Sequence, residues 1–209
     1  MWLDVFDRNP YGTNCWLIAA EDADEAVVVD PGFEPAAVRA LLSAAGKRPS
    51  AVLLTHAHAD HAMEAGAFAG EDLPVYIHPA DAVAFDDPDA WSRGNGTPLT
   101  PVKDLRTFED GDVVRLGGGV SVEVIHTPGH TPGSCCFRVE ADVLVFSGDL
   151  VFAGTVGRSD FANSDPAAMQ RSLERFLTLP DDLEVLPGHG PRTTVARERA
   201  TNPFLVGIG

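Results

Sequence analysis

The chain has 209 residues, 44% of them hydrophobic and 22% charged, which suits one packed domain rather than a disordered or fibrous chain. Its formal net charge of −16 argues against nucleic acid as a partner and against docking on an anionic membrane, because both need a basic surface. Three cysteines give no disulfide framework, residues 1–10 carry no export signal, and no apolar run is long enough to span a membrane, so the expectation is a cytoplasmic protein with reduced thiols.

In chain order, Leu3–Phe6 and Asn14–Ala19 read as strands joined by the turn residues Asn9-Pro10-Tyr11-Gly12. Ala26–Val29 is a β-branched run, hence a buried strand, and it stops at Asp30-Pro31-Gly32. Alanine and leucine at helical spacing predict a helix over Pro35–Ala45, ended by Gly46. Ala51–Leu54 is another apolar strand; a histidine-rich stretch follows, and then a short helix over Met63–Ala69. Val75–Ile77 reads as a strand and Pro79–Phe85 as a helix, while residues 86–101 read as loop, with Trp91 either packing it down or lining a pocket.

Asp112–Leu116 and Val120–Ile125 flank three glycines as a hairpin; the glycine spacing fits no nucleotide-binding loop. Ser134–Val139 and Val143–Phe146 are strands, in which the adjacent Cys135 and Cys136 should face opposite ways; Cys15 is the third thiol. Asp165 caps a helix running to Leu177 with Pro166 at its first position; Glu184–Leu186 is the last clear strand, and Thr194–Ala200 a final helix. Strand runs, helix, strand and helix occur twice over. Two sheets packed face to face with helices outside would bury both halves, an α/β architecture of four layers within a single domain over 1–209.

The chemistry concentrates in Thr55-His56-Ala57-His58-Ala59-Asp60-His61, directly after a buried strand. Imidazole and carboxylate together suit a metal ion, whereas a plain polar loop is the ordinary alternative. In an extended segment His56, His58 and Asp60 share one face and His61 turns to the other, an arrangement able to serve two neighbouring ions. His130 lies in Thr-Pro-Gly-His-Thr-Pro-Gly-Ser, His189 in Pro-Gly-His-Gly, and Asp149 in Ser-Gly-Asp, each soon after a strand. Taken singly each is a structural histidine or a turn aspartate; with the cluster they read as ligands converging on one edge. Asp30 reads as a turn former or as a carboxylate steadying a ligand histidine, and His126 as a residue behind the ligands. His78 has no assigned role.

These motifs together resemble the metallo-β-lactamase superfamily, and its glyoxalase II (hydroxyacylglutathione hydrolase) branch most of all. Val-Gly-Arg-Ser-Asp-Phe over 156–161 and Thr-Asn-Pro-Phe-Leu over 201–205 are similar to short bacterial members of that branch. The resemblance implies an αββα sandwich of two mixed sheets. It implies a first metal on His56, His58 and His130, a second on Asp60, His61 and His189, and Asp149 bridging them. Asp60 is also taken as catalytic. Asp30, Arg158 and Asp160 match positions behind the ligands or near substrate. Zinc is the first expectation for the two divalent ions, with iron or manganese also fitting.

The implied reaction is hydrolysis of a small-molecule thioester of the S-lactoylglutathione kind, by attack of a hydroxide shared between the ions. Longer glyoxalase II proteins carry a basic C-terminal helical domain for the thiol carrier. Here Arg192, Arg197 and Arg199 are the basic residues after His189, so the carrier is expected to differ or to be held loosely. The alternatives are a mononuclear-iron persulfide dioxygenase, which needs a subset of the same ligands, a hydrolase of other esters or lactones, a β-lactam hydrolase, a nuclease disfavoured by the charge, a nucleophilic thiol, and a metal-stabilised binding module.

Overall fold

The computed structural model describes residues 1–70, 72–94, 96–140 and 143–208. Asn95, inside the loop expected at 86–101, lies outside them. The first half forms a six-stranded sheet of β1 (Trp2–Phe6), β2 (Cys15–Ala19), β3 (Glu25–Val29), β4 (Arg48–Leu53), β5 (Val75–Ile77) and β6 (Leu105–Thr107), in that spatial order. The β1–β3 pairings are antiparallel and the β3–β6 pairings parallel. The second half builds another mixed sheet from β7 (Val113–Gly117), β8 (Val120–His126), β9 (Cys135–Val139), β10 (Leu144–Gly148), β13 (Glu184–Pro187) and β14 (Thr193–Thr194). A small ribbon, β11 (Val151–Phe152) with β12 (Thr155–Val156), follows β10.

Side-chain alternation sets the layers. In β2, Trp16 and Ile18 join the layer between the sheets, while Leu17 and Ala19 face outward. In β9, Cys135, Phe137 and Val139 point inward and Cys136 outward, as their adjacency requires. Outside the first sheet lie α1 (Pro35–Ala44), which buries Val38 and Leu42, and α3 (Ala65–Ala69), which buries Phe68. Outside the second lie α6 (Pro166–Phe176), through Met169, Leu173 and Phe176, and α7 (Val195–Thr201), through Val195. Each fully buried Phe or Leu here contributes about 2–3 kcal/mol of transfer free energy. The result is the αββα sandwich that the element order implied. No helix among the described residues is long and apolar enough to cross a membrane.

Several expectations are corrected. The histidine stretch is not extended throughout: α2 (Ala59–Ala62) starts right after His58, which sits at its N-cap. The helix foreseen over Met63–Ala69 is interrupted at its start, because the Met63 carbonyl is taken by the Thr100 backbone N–H (2.9 Å) and hydroxyl (2.8 Å). Thr100 then donates nothing further to α3 but accepts from the Gly66 N–H, where a Cβ would strike the Pro101 carbonyl at 2.2 Å. The loop at 86–101 contains α5 (Pro88–Ser92), capped by Asp87, and β6, β11, β12 and β14 were not foreseen. The Asp165 cap holds as read, accepting from Ala167 and Ala168 at 2.8 and 3.0 Å.

His78 caps α4 (Pro79–Ala82) by accepting from the Ala80 N–H at 3.2 Å, and its ring stacks on His126 at 4.0 Å. Burial first, then the neighbouring His126, lowers it to about 4, against a weak opposing pull from Asp110. A histidine held below its unfolded value contributes stability above pH 6.5 that is lost as pH falls towards 4. The full shift corresponds to about 3 kcal/mol; with solvent and Glu109, 4.0 Å away, screening the charge, about 1–2 kcal/mol is expected. Urea midpoints should therefore fall between pH 6.5 and 4, and less steeply in His78→Asn, which keeps a capping acceptor. Equal slopes in the two proteins would show that this pair does not govern the acid limb.

Candidate metal centre

The strand ends that bear the chemistry meet at one edge of the sandwich. β3 and β4 run parallel and deliver Asp30 and His56; β10 and β13 run parallel and deliver Asp149 and His189; the β8–β9 connection delivers His130. Backbone bonds stitch the two sheets there, Cys135 N–H to the Thr55 carbonyl (3.0 Å) and Asn14 N–H to that of Gly188 (2.7 Å), while Gly188 N–H to the Gly148 carbonyl (2.8 Å) holds β13 against β10 within the second sheet. A Cβ on Gly188 would sit 2.2 Å from Asp149 Oδ1 and 2.7 Å from the His61 ring, so only glycine lets β13 pass so close.

All seven residues read as ligands come together. His56, His58 and His130 form one group whose ring nitrogens lie within 4.8 Å of one another; Asp60, His61 and His189 form a second; His56, His61 and Asp149 form a third that joins them. Asp149 spans the middle, with Oδ1 3.4 Å from His61 Nε2 and Oδ2 3.4 Å from His130 Nε2 and 3.5 Å from His189 Nε2. His189 Nε2 is 3.2 Å from Asp60 Oδ2, and His58 Nδ1 is 2.8 Å from His130 Nε2.

The residues behind these fix which ring nitrogens face inward. Asp30 holds a left-handed backbone (φ 56°), an uncommon state for a residue with a Cβ, and accepts from the Thr55 N–H (2.8 Å), the Thr55 hydroxyl (2.7 Å) and His61 Nδ1 (3.0 Å). Because the Thr55 proton goes to Asp30, its oxygen is left to accept from His56 Nδ1 at 3.0 Å. His130 Nδ1 donates to the Arg158 carbonyl at 2.7 Å. Each of these rings therefore has its Nδ1 engaged and turns its Nε2 to the centre. His56 Nε2 and Asp149 Oδ1 are buried there with no hydrogen-bond partner among the described residues. Buried lone pairs aimed at one another are costly unless a cation accepts them, so the donor set fits metal ions.

The electrostatics divide the cluster. Burial opposes protonation of His61, but Asp149, Asp60 and Asp30 raise it well above the usual histidine value, carboxylate charge that a bound cation would answer in place of the proton, while His56 and His58 go the other way. Burial, then the surrounding His61, His130 and His58, pushes His56 well below the usual histidine value; burial and the same kind of crowding take His58 to about 3. Burial alone would raise Asp60 and Asp149, but the adjoining imidazoles outweigh it and keep both carboxylates ionised. On the other side, burial opposes protonation of His189, yet Asp149 and Asp60 raise it to about 9.

Two supports, Thr13 and Asp81, were not picked out beforehand; a third, Arg158, was named by the resemblance but serves through an unforeseen atom. Thr13 donates its hydroxyl to Asp60 Oδ2 at 2.9 Å. Arg158 acts through its carbonyl, while its side chain pairs with exposed Asp160 at 2.9 Å and lies over Phe161. Asp81, fully buried on α4, accepts from Ala57 N–H (2.9 Å), Thr131 hydroxyl (2.7 Å), Gly133 N–H (2.7 Å) and Trp91 Nε1 (3.0 Å). Burial raises its carboxyl and these donors offset only part of that. It lies three positions before buried Ala84, so helical spacing alone placed it on the inward face. His126 is engaged elsewhere: its Nε2 is 2.9 Å from the Pro132 carbonyl, its N–H donates to Asp110, and its carbonyl accepts from Arg175. The three thiols are buried and free; burial pushes each up, Cys136 to about 12, which removes them as nucleophiles at neutral pH.

Residues 8–189 match the sequence signature of the metallo-β-lactamase superfamily, and the chain belongs to it. Among its relatives, the probable metallo-hydrolase YqgX of Bacillus subtilis is 35% identical over 203 residues, covering 95% of each chain. The hydroxyacylglutathione hydrolase GloC of Haemophilus influenzae is 30% identical over 211 residues, covering 98% of each. Two solved structures superpose over nearly the whole chain. BLEG-1, a B3 metallo-β-lactamase, does so with a TM-score of 0.87 at 35% identity, covering 99% of this chain and 100% of that one. TTHA1623, in a di-iron-bound form, does so with a TM-score of 0.84 at 40% identity, covering 97% and 100%.

Proposed function

We propose that this metallo-hydrolase family member hydrolyses thioesters of small acids, of the S-lactoylglutathione kind, with two divalent ions. The observation that carries the reading is the pair of facing ligand groups joined by Asp149, with unpartnered buried lone pairs on His56 and Asp149. The di-iron form of TTHA1623 and the activity named for GloC support it. His56, His58 and His130 would hold one ion, Asp60, His61 and His189 the other, and Asp149 both, with zinc, iron and manganese all suited to the donors. Ions bound there supply Lewis acidity and make a coordinated water acidic near neutral pH.

The chain's own groups do the rest. Asp30, Thr55 and the Arg158 carbonyl hold the Nδ1 atoms of His61, His56 and His130, so these three rings would present Nε2 without reorganising. Thr13 orients Asp60, whose ionised carboxylate lines the mouth of the site and is placed to take a proton from the attacking water. The open cavity over the centre, about 590 Å³ and walled by Tyr11, Phe152 and Phe161, gives the substrate an apolar bed. A thioester suits it because a thiolate, with a pKa of about 8.5, leaves without a strong proton donor.

The test measures metal per chain on freshly purified protein, with thioester hydrolysis, persulfide-dependent oxygen uptake and β-lactam opening assayed on the same sample. Two ions with thioester turnover and no oxygen uptake is the expected result. One iron with oxygen uptake would move the reading to a dioxygenase, and β-lactam opening without thioester turnover would move it to the chemistry named for BLEG-1.

A further inference from the structure

The stretch Thr201-Asn202-Pro203-Phe204-Leu205, where α7 ends, has no part in the site described so far. Asn202 is fully buried, and so is Glu198, one turn before it. Together they grip the β11–β12 ribbon. Glu198 Oε2 accepts from the Gly154 N–H at the ribbon's tip (2.8 Å) and from Asn202 Nδ2 (2.9 Å). Asn202 Nδ2 also donates to the Thr155 carbonyl (2.9 Å) and lies 3.5 Å from that of Phe152. From the other side, the Thr193 hydroxyl donates to Glu198 Oε1 at 2.5 Å. The grip matters because the ribbon pairs only Val151 with Val156 and Phe152 with Thr155, and an isolated two-stranded hairpin is marginal even when longer.

The ribbon belongs to the frame of the metal centre. It begins two residues after Asp149 and ends two residues before Arg158. On its return the chain passes so close to the centre that a Cβ on Gly157 would meet the Asp149 carbonyl at 1.8 Å and His130 Nδ1 at 3.4 Å. The next residue, Arg158, supplies the carbonyl that holds His130 Nδ1 at 2.7 Å. On the outgoing strand, Phe152 walls the open cavity, with its ring 5.8 Å from that of His189. We propose that Glu198 and Asn202 are positioning residues for the metal centre: they fix the ribbon, and the ribbon sets the Arg158 carbonyl against His130 and Phe152 beside His189. The inference rests on the two-ion reading above. Groups that orient a ligand histidine are commonly worth about 10–100-fold in metal affinity.

The test uses the full chain loaded with zinc and compares Glu198→Ala, Asn202→Ala, Glu198→Gln and Thr193→Val, each below its melting temperature. The two alanine variants should bind the ion of the three-histidine group about 10-fold more weakly and, with cobalt in place of zinc, show altered visible bands. Glu198→Gln should restore both. Its oxygen can still accept from Gly154 and Asn202, while its amide donates to the Thr193 hydroxyl, which can accept as well as donate. Thr193→Val leaves the ribbon's bonds in place, so it should lower Tm and keep the parent's metal affinity. Hydrogen exchange on the unmodified chain adds an arm that needs no variant to fold. Coupling is reciprocal, so metal loading should slow exchange of the Gly154 N–H about 10-fold. Three results would each overturn the proposal: unchanged affinity in the alanine variants, an equal loss in Thr193→Val, or Gly154 exchange indifferent to metal. Thioester kinetics separate it from the hydrolase reading. If the parent turns over no thioester, that reading fails, and the metal titrations and the exchange rates still decide the clamp.

Discussion

His58→Ala is expected to lower thioester kcat/KM about 10³-fold, equivalent to roughly 4 kcal/mol of transition-state stabilisation, and to release the ion held with His56 and His130. The imidazole supplies one of three nitrogens in that group, and its Nδ1 sits 2.8 Å from His130 Nε2, so no neighbouring side chain can move in to replace it. The fold should survive, since His58 stands at the edge of the sandwich and caps only a one-turn helix without a side-chain bond. Metal content by mass spectrometry, kcat/KM and a melting curve on one preparation check all three expectations. Unchanged turnover would sink the hydrolase reading. His189→Ala makes the comparison sharper: a two-ion enzyme loses activity there as well, whereas a one-iron dioxygenase working from His56, His130 and Asp149 keeps most of it.

The sequence carried the ligand constellation because most of its members share one short segment, and the others repeat one arrangement of strand, tight turn and ligand-type residue. The layered fold was legible for a similar reason: strands such as Cys15–Ala19 and Cys135–Val139 are long enough for alternation to be seen, and every helix packed outside the sheets had a cap or an apolar stripe. Elements of two or three residues, such as β6 and β14, leave no period to read. α2 was hidden because its four residues, Ala-Asp-His-Ala, show no apolar repeat; tertiary contacts of Asp60 and His61 hold it. The supports were hidden for another reason. Thr13 and Thr55 are ordinary polar residues whose partners Asp60 and Asp30 lie far away in sequence. Arg158 works through its carbonyl, which carries no signature at all.

Asp81 is the strongest such case, and Asp81→Ala is expected to cost about 3–5 kcal/mol, because the Ala57 and Gly133 N–H groups and Trp91 Nε1 lose their acceptor and the Thr131 hydroxyl keeps only Ser134. For a chain of this length that lowers Tm by about 2–4 °C per kcal/mol, hence roughly 6–20 °C. Asp81→Asn keeps the shape and one acceptor oxygen but turns an N–H towards donors, so a smaller loss, about 1–3 kcal/mol, should follow. Stability alone would not separate this carboxylate from any buried polar group. Its partners do. The Ala57 N–H lies between His56 and His58, and Thr131 and Gly133 follow His130, so one side chain ties together both stretches that carry the three-histidine group. Gly133 is confined there by sterics too, since a Cβ would meet the Asp81 side chain at 2.7 Å. Loosening that tie should weaken the ion of this group about 10–100-fold while leaving the Asp60, His61 and His189 group less affected. Metal titrations of Asp81→Asn, run at a temperature where the variant is fully folded, read that asymmetry directly. Equal weakening of both ions, or metal affinity unchanged beside a lowered Tm, would reduce Asp81 to a packing residue. Selective loss from the three-histidine group would make it the residue that sets the spacing of His56, His58 and His130.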